Sequence, residues 1–191
     1  RGAAPVQWQI LSGATTLGSS VFSLVKELDA GDVFTTELHP SLTDETSGEA
    51  LMRLSELGAT QVLNVVDSIE NGSAVLTPQT GETSYARKLG LEDGHLDTSQ
   101  PFSQVYDRFR GVTPEPGAYV YLNDERLKIH SARQASHVIT STGLITSRDK
   151  KLFLGCSGGS LELLTVQPSG KQSMNAMDWF RGLHREEVAV S

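Results

Sequence analysis

The stretch Leu28-Asp29-Ala30-Gly31-Asp32 lies between two segments, residues 20–25 and 33–38, that contain mainly Val, Phe, Thr, Leu and Ser. This composition predicts two strands. Asp hydrogen-bonds its own backbone in turns and Gly accepts a positive φ, so the stretch predicts the turn that joins these strands. We expect the turn to lift the Asp29 carboxylate out of the sheet edge, and Asp32 to bond the N–H groups of the turn. A plain turn without chemistry is the alternative interpretation.

Helices are predicted on both sides of this hairpin. Upstream, Pro5 suits the first turn of a helix over residues 3–11, and Gly13 suits its end. Downstream, Thr46 and Glu49 have the spacing of a capping box. The second helix then carries a stripe at helical spacing and ends at Asn71-Gly72. The stripe consists of Leu51, Leu54, Gly58, Val62, Val65 and Ile69. Gly58, costly in a helix interior, is interpreted as a point of close packing.

Charge and pattern both change near residue 80. Residues 1–82 hold three basic and 11 acidic side chains, whereas residues 83–191 hold 13 basic and 12 acidic ones. Residues 73–83 have no periodicity and predict an extended linker. The distribution indicates two units with different partners. The total net charge of −7 argues against a general nucleic-acid binder.

The second half predicts a small β-rich unit. An i, i+3, i+7 stripe of Phe102, Val105 and Phe109 predicts a helix over residues 101–110. Short strand-like runs follow, separated by turns, and a helix is predicted over residues 175–183. These runs are residues 118–122, 126–133, 138–146, 151–154 and 160–166. Their spacing predicts an antiparallel barrel or sandwich.

The amino-acid composition restricts the cellular location that we expect for the protein and the kinds of site that it can contain. The chain of 191 residues has no apolar run near the roughly 20 residues of a membrane span. No secretory signal is visible, and the single cysteine, Cys156, fits a reducing environment, so a cytoplasmic location is expected. The five histidines lack metal-ligand spacing, and we expect no metal site. The chain begins at Arg1 rather than Met, which indicates either processing or a fragment.

Four motifs carry a resemblance to a known family: Arg1-Gly-Ala-Ala-Pro-Val-Gln-Trp8, Leu28–Asp32, Thr83-Ser-Tyr-Ala-Arg-Lys88 and Gln167-Pro-Ser-Gly-Lys-Gln-Ser-Met174. In order and spacing they resemble the methionyl-tRNA formyltransferase family. The resemblance implies an α/β plus β fold. Residues 1–72 would be the C-terminal portion of a Rossmann-like formyltransferase domain, residues 73–90 a linker, and residues 91–191 an OB-like antiparallel β-barrel domain.

The same resemblance implies an activity and a site. The family transfers a formyl group from 10-formyltetrahydrofolate to the amino group of initiator methionyl-tRNA in translation initiation. Its catalytic Asp corresponds to Asp29, and its folate-contacting strand to Val25, Lys26, Glu27 and Leu28. Ordinary strand packing is the alternative interpretation of these four residues. The family's catalytic Asn and His and its Ser-Leu-Leu-Pro folate loop lie upstream of Arg1. We therefore expect these 191 residues alone to be inactive.

Basic residues in the second half are candidates for tRNA contact. Arg87 and Lys88 lie in the linker, and Arg126 and Lys128 are two apart on a predicted strand, so the latter pair shares one face. A barrel with basic and aromatic groups on one face is a frequent nucleic-acid platform. A solvated surface is the alternative. The resemblance implies folate and initiator methionyl-tRNA as partners, no membrane, and a monomer.

Two other functions remain open. One is a non-catalytic tRNA- or RNA-binding fragment built from the linker and barrel. The other is a different folate-dependent formyltransferase or hydrolase of the same fold, such as a sugar-nucleotide formyltransferase. The Thr83–Lys88 and Gln167–Met174 motifs favour the tRNA enzyme.

Overall fold

A computed structural model describes residues 1–191. It contains four α-helices, nine strands and one short 3₁₀-helix. The helices are α1 (Pro5–Leu11), α2 (Ser47–Glu70), α3 (Phe102–Val112) and α4 (Ala176–Arg181), with the 3₁₀-helix at Leu91–Gly94. The strands are β1 (Thr16–Phe22), β2 (Val33–Pro40), β3 (Ala118–Leu122), β4 (Glu125–Ala135), β5 (Leu144–Arg148), β6 (Lys151–Cys156), β7 (Gly159–Pro168), β8 (Met174–Asn175) and β9 (Glu187–Ala189). None of the helices has both the length and the apolar character needed to cross a membrane.

The predicted hairpin is present, but its first strand lies nearer the N-terminus than expected. Strands β1 and β2 pair antiparallel from Thr16 opposite Pro40 to Phe22 opposite Val33. The prediction of a strand over residues 20–25 is therefore wrong beyond Phe22. Gly18, Ser19 and Ser20 in β1 have little strand propensity, but they adopt the strand conformation because they pair with β2. Beyond Phe22, the N–H of Ser23 donates to the carbonyl of Asp32 at 2.9 Å and closes the loop.

Helix α2 begins with the predicted capping box. The Thr46 N–H donates to Glu49 Oε2 at 2.8 Å, and the Glu49 N–H donates to Thr46 Oγ1 at 3.4 Å. Five residues of this helix are buried, namely Ser47, Ala50, Leu54, Gln61 and Val65. Burial of the polar Ser47 side chain is tolerated because its hydroxyl donates a hydrogen bond to the carbonyl of Thr113 at 2.8 Å.

The stripe predicted for α2 is only partly correct. Leu54 and Val65 are buried, whereas Leu51, Val62 and Ile69 are exposed. The buried side is set by where the hairpin and α1 pack, which the helix's own sequence does not contain. The interpretation of Gly58 as a close-packing point is wrong, because a Cβ placed there would meet no atom within 4 Å.

The second half forms one antiparallel sheet of seven strands. The order is β3-β4-β7-β6-β5-β9, with β8 paired to β7. Two backbone hydrogen bonds join Tyr121 in β3 to Ser191 beyond β9, at 2.6 and 3.0 Å. The two sheet edges therefore meet, and the predicted antiparallel barrel-like form is confirmed. Its core contains 20 buried residues, among them Val105 and Phe109 of α3.

The strands of the sheet differ most from prediction at three places. Residues 138–143 were predicted as strand, but β5 begins only at Leu144. The preceding residues turn instead, with Gly143 at φ +76° and the Val138 N–H donating to the carbonyl of Ala135 at 2.9 Å. Strands β8 and β9 were not predicted, because two or three residues are too short for an alternating pattern.

Candidate active site

The turn between β1 and β2 has a backbone that restricts its sequence. Asp29 adopts a φ of +52°, a region in which Asp is tolerated better than most residues. Gly31 is buried, and a Cβ at this position would lie 1.7 Å from the carbonyl oxygen of Ser23. The geometry of the turn thus requires glycine at position 31 and tolerates Asp at position 29.

The two oxygens of the Asp29 carboxylate differ in their surroundings. Oδ2 accepts a 2.9 Å hydrogen bond from the backbone N–H of Gly2. Oδ1 has no hydrogen-bond partner within the chain. Asp29 lines an open cleft of about 550 Å³ together with Gly2, Phe22 and Gln79. One oxygen is therefore fixed by the protein, and the other is available to a donor in the cleft.

Asp32 does not bond the turn through its carboxylate, so that prediction is wrong. Its backbone carbonyl is the group that acts, accepting from the N–H of Ser23 at 2.9 Å and from its hydroxyl at 3.3 Å. The two acids of the turn therefore differ in role, because only the Asp29 carboxylate is held in the cleft.

The four residues predicted to contact folate do not lie on a strand. Val25, Lys26, Glu27 and Leu28 form an exposed loop after β1, and none of them lines the cleft beside Asp29. Leu28 is 71% exposed and Val25 is 50% exposed. Within the chain, residues 24–28 make no backbone hydrogen bond. Their N–H and C=O groups are accordingly free for another molecule or chain segment.

The Arg87 side chain forms an ion pair with Asp93. Its Nη1 and Nη2 donate to Asp93 Oδ2 and Oδ1 at 2.7 and 2.6 Å, and its guanidinium lies 5.0 Å from the ring centroid of Trp8. The Trp8 Nε1–H donates to the Arg87 carbonyl at 2.8 Å. The hydrogen bond from Arg87 holds the pKa of Asp93 below its usual value. A phosphate would have to compete with Asp93 for this side chain.

The other basic candidates are unpaired, and two of them lie beside aromatic rings. Lys88 and Lys128 are exposed, and Arg126 is half-buried. On the β3–β4 ladder Lys128 is opposite Tyr119 and Arg126 is opposite Tyr121. The Arg126 guanidinium lies 5.7 Å from the Tyr119 ring centroid.

A third aromatic group extends this surface. The His95 ring lies 5.6 and 5.4 Å from the rings of Tyr119 and Tyr121. Burial, and secondarily the neighbouring Tyr121, raises the pKa of Tyr119. We call His95, Tyr119, Tyr121, Arg126 and Lys128 the aromatic–basic surface; the Tyr119 ring is buried at 4% exposure, whereas Tyr121 is exposed.

Two residues of the cleft escaped prediction. Gly2 lies in the Arg1–Trp8 motif, and the pairing of that motif with the Leu28–Asp32 motif is the available signal. Gln79 lies in the unpatterned segment and offers no local signal. Its position is fixed by two backbone hydrogen bonds nearby. The Thr77 N–H donates to the Val33 carbonyl at 2.9 Å, and the Val33 N–H donates to the Thr77 carbonyl at 2.8 Å.

Comparison with known proteins places this geometry in a family. Residues 88–184 match the model described as formyl transferase, C-terminal domain. The chain is 46% identical over 188 residues to a methionyl-tRNA formyltransferase of Leifsonia xyli subsp. xyli, covering 98% of this chain and 62% of that protein. It thus spans about three fifths of that relative's length.

Solved structures share the fold at lower identity. The HypX structure from Aquifex aeolicus in complex with tetrahydrofolic acid has a TM-score of 0.76 at 19% identity, covering 94% of this chain and 32% of that one. A methionyl-tRNA formyltransferase from Clostridium thermocellum has a TM-score of 0.58 at 22% identity, covering 70% of this chain and 57% of that one. Because the family model matches more than half of the chain, this protein belongs to the formyl transferase family and carries its C-terminal domain.

Proposed function

We propose that this chain is the C-terminal part of a methionyl-tRNA formyltransferase. One observation carries the proposal: the 46% identity to a relative of that name runs over 98% of the chain, and so includes both the Asp29 turn and the seven-stranded sheet. Residues 1–72 would complete a Rossmann-like catalytic domain, residues 73–90 would be the linker, and residues 91–191 would be an OB-like domain.

The proposed reaction transfers a formyl group from 10-formyltetrahydrofolate to the α-amine of initiator methionyl-tRNA. The amine attacks in its neutral form, and the carbonyl carbon passes through a tetrahedral intermediate bearing an oxyanion. A proton then moves from the incoming nitrogen to the departing one. Positioned donors that stabilise such an oxyanion are typically worth about 3–4 kcal/mol each. The family resemblance assigns this task to an Asn and a protonated His upstream of Arg1.

Asp29 would orient that imidazole and favour its protonated form. The geometry supports this role, because Oδ2 is held by the Gly2 N–H while Oδ1 lacks a partner and Asp29 lines the cleft. A carboxylate fixed at one oxygen accepts from an imidazole N–H at the other without losing its position. It is also suited to relay a proton through water.

The loop of Val25, Lys26, Glu27 and Leu28 would contact the folate. Support comes from its backbone, because residues 24–28 have free N–H and C=O groups in sequence. A heterocycle with donors and acceptors along one edge is able to pair with such a segment, as a neighbouring strand would. The exposed side chains of Leu24 and Leu28 offer apolar contact beside it.

The tRNA would contact Lys88, Arg126 and Lys128, with Arg87 contributing if it exchanges Asp93 for a phosphate. The aromatic–basic surface supports this, because the exposed ring of Tyr121 lies opposite Arg126 on the β3–β4 ladder. We further propose a monomer acting in the cytoplasm, with no metal in the reaction.

A formylation assay tests the proposal. The 191 residues alone should not turn over, whereas the complete protein should formylate methionyl-tRNA. In the complete protein, Asp29→Asn should reduce kcat far more than Asp32→Asn, because only Asp29 presents its carboxylate in the cleft. Full activity of the 191 residues, or equal small effects of both substitutions, would contradict the assigned roles.

A non-catalytic tRNA-binding protein is the second candidate, and the aromatic–basic surface is the observation that favours it. Salt-dependent tRNA binding by the complete protein without formylation would support this candidate. Formylation of an amino-sugar nucleotide in preference to methionyl-tRNA would instead identify another formyltransferase of the same fold.

A further inference from the structure

Gln79 connects three separate parts of the chain beside Asp29. Its Nε2 donates to the backbone carbonyl of Asp29 at 2.9 Å and to that of Gly31 at 2.8 Å. Its Oε1 accepts from Nε and Nη2 of Arg1 at 3.2 and 2.9 Å. Both ends of the side-chain amide are therefore used.

We propose that Gln79 is a positioning residue that holds the Asp29 turn in its active geometry. This inference rests on the proposed catalytic role of Asp29. Gln79 does not touch the Asp29 carboxylate. It acts through the backbone carbonyls on both sides of Ala30, and so it controls where the turn presents that carboxylate.

The orientation of the Gln79 amide is determined by its partners. A carbonyl oxygen accepts and does not donate, so only the NH₂ group satisfies Asp29 and Gly31. The Arg1 guanidinium only donates, so it requires the amide oxygen. A flipped amide would place like groups together at both ends. The network is thus complete in one arrangement alone.

The turn has few other supports. The Ser23 N–H to Asp32 carbonyl bond closes its base, and the Gly2 N–H holds the carboxylate. Asp29 has a positive φ, a conformation that is uncommon for residues other than Gly. Loss of the Gln79 bonds would leave two turn carbonyls without their donor and free Asp29 to move.

The segment that carries Gln79 is itself fixed. Thr77 pairs with Val33 on the edge of β2, and Ala86 accepts from the N–H of Ala3 at 2.9 Å. The segment assigned as a linker thus also packs along the catalytic turn.

Gln79→Glu is the sharpest test, since it keeps the shape and the acceptor for Arg1 but replaces the NH₂ donor by a carboxylate oxygen. In the complete protein we expect kcat to fall at least about tenfold, because small displacements of catalytic groups are costly. The KM for formyltetrahydrofolate should change less than about twofold, since an orienting role is expressed in kcat. Amide deuterium exchange should become faster over residues 23–33.

Two controls separate positioning from charge and from folding. Gln104→Glu places the same new charge on an exposed residue without a side-chain hydrogen bond, and should leave kcat and exchange unchanged. Gln79→Met removes both polar ends without adding charge, should also lower kcat, and carries the test if Gln79→Glu does not fold. The ratio of wild-type to Gln79→Glu turnover should fall at acidic pH, because a protonated Glu regains one donor.

The outcomes distinguish this inference from the proposed function. If Asp29→Asn is slow but Gln79→Glu behaves like Gln104→Glu, the inference fails and the role of Asp29 stands. A fall in kcat without faster exchange over residues 23–33 also overturns it. If Asp29→Asn retains full turnover, the catalytic role of Asp29 fails and that of Gln79 fails with it.

Discussion

The backbone N–H of Gly2 donates a 2.9 Å hydrogen bond to Oδ2 of Asp29, across 27 positions of sequence. This bond joins the residue pair Arg1-Gly2 to the turn between β1 and β2. The Arg1–Trp8 motif therefore supplies a donor for the carboxylate of the Leu28–Asp32 motif. It also leaves the other carboxylate oxygen of Asp29 open to the cleft.

Gly31→Ala should disrupt the Asp29 turn. The new Cβ would lie 1.7 Å from the Ser23 carbonyl oxygen, so the backbone must shift. We expect a loss of about 1–3 kcal/mol in the free energy of unfolding, as for other overpacked sites. Urea denaturation of the complete protein measures this loss.

Gly18→Ala is the matched control in β1, since its Cβ would lie at an ordinary 3.8 Å from Leu38. If both substitutions have the same small effect, the steric restriction at Gly31 is contradicted.

The Arg87–Asp93 ion pair predicts a pH-dependent stability. The Arg87 hydrogen bond lowers the folded-state pKa of Asp93, so the pair's contribution is fully present above the unfolded-state pKa, about 4. It is lost as the pH falls through the lower folded-state pKa. Asp93→Asn should therefore lower the urea midpoint at pH 7 and lose this deficit in strongly acidic solution.

Asp149→Asn is the control for this experiment, because the Asp149 carboxylate is exposed and lies 3.8 Å from Arg148. It should change the urea midpoint little at either pH. A deficit in Asp93→Asn that is independent of pH would show that the amide disturbs packing rather than an ion pair.

Gly58→Ala should stabilise the protein. Gly58 lies within α2 and its Cβ position is open to solvent, so alanine gains helix propensity without a clash. The expected gain is about 1 kcal/mol in the free energy of unfolding. Gly48→Ala in the same helix should destabilise instead, since its Cβ would lie 2.5 Å from Pro114. Thermal denaturation of both variants checks the pair of opposite signs.

The aromatic–basic surface predicts a specific salt dependence of tRNA binding. Replacing Arg126 and Lys128 by Ala should weaken binding and reduce the slope of log affinity against log salt by about one for each lost phosphate contact. Arg148→Ala, an exposed cation on β5, should leave the slope unchanged. Equal slopes for all variants would exclude this surface from the tRNA interface.

Local features of the fold were predictable from the sequence. Capping at Thr46, the helix that contains Phe109, and the turn at Asp29 each depend on neighbours within a few residues. The antiparallel sheet was predictable for the same reason, since its strand-like runs follow one another with short turns between them. Features that depend on distant partners were missed, including the start of β1 and the short strands β8 and β9.

The candidate site divides in the same way. The sequence by itself determined that residues 28–32 form a turn, because the preference of Asp and Gly for turns is a local property. Only the tertiary structure decided that Gly2 and Gln79 hold this turn and that Arg87 is paired with Asp93. Hydrogen bonds between residues far apart in sequence depend on how elements pack, and no local pattern of residues specifies that packing.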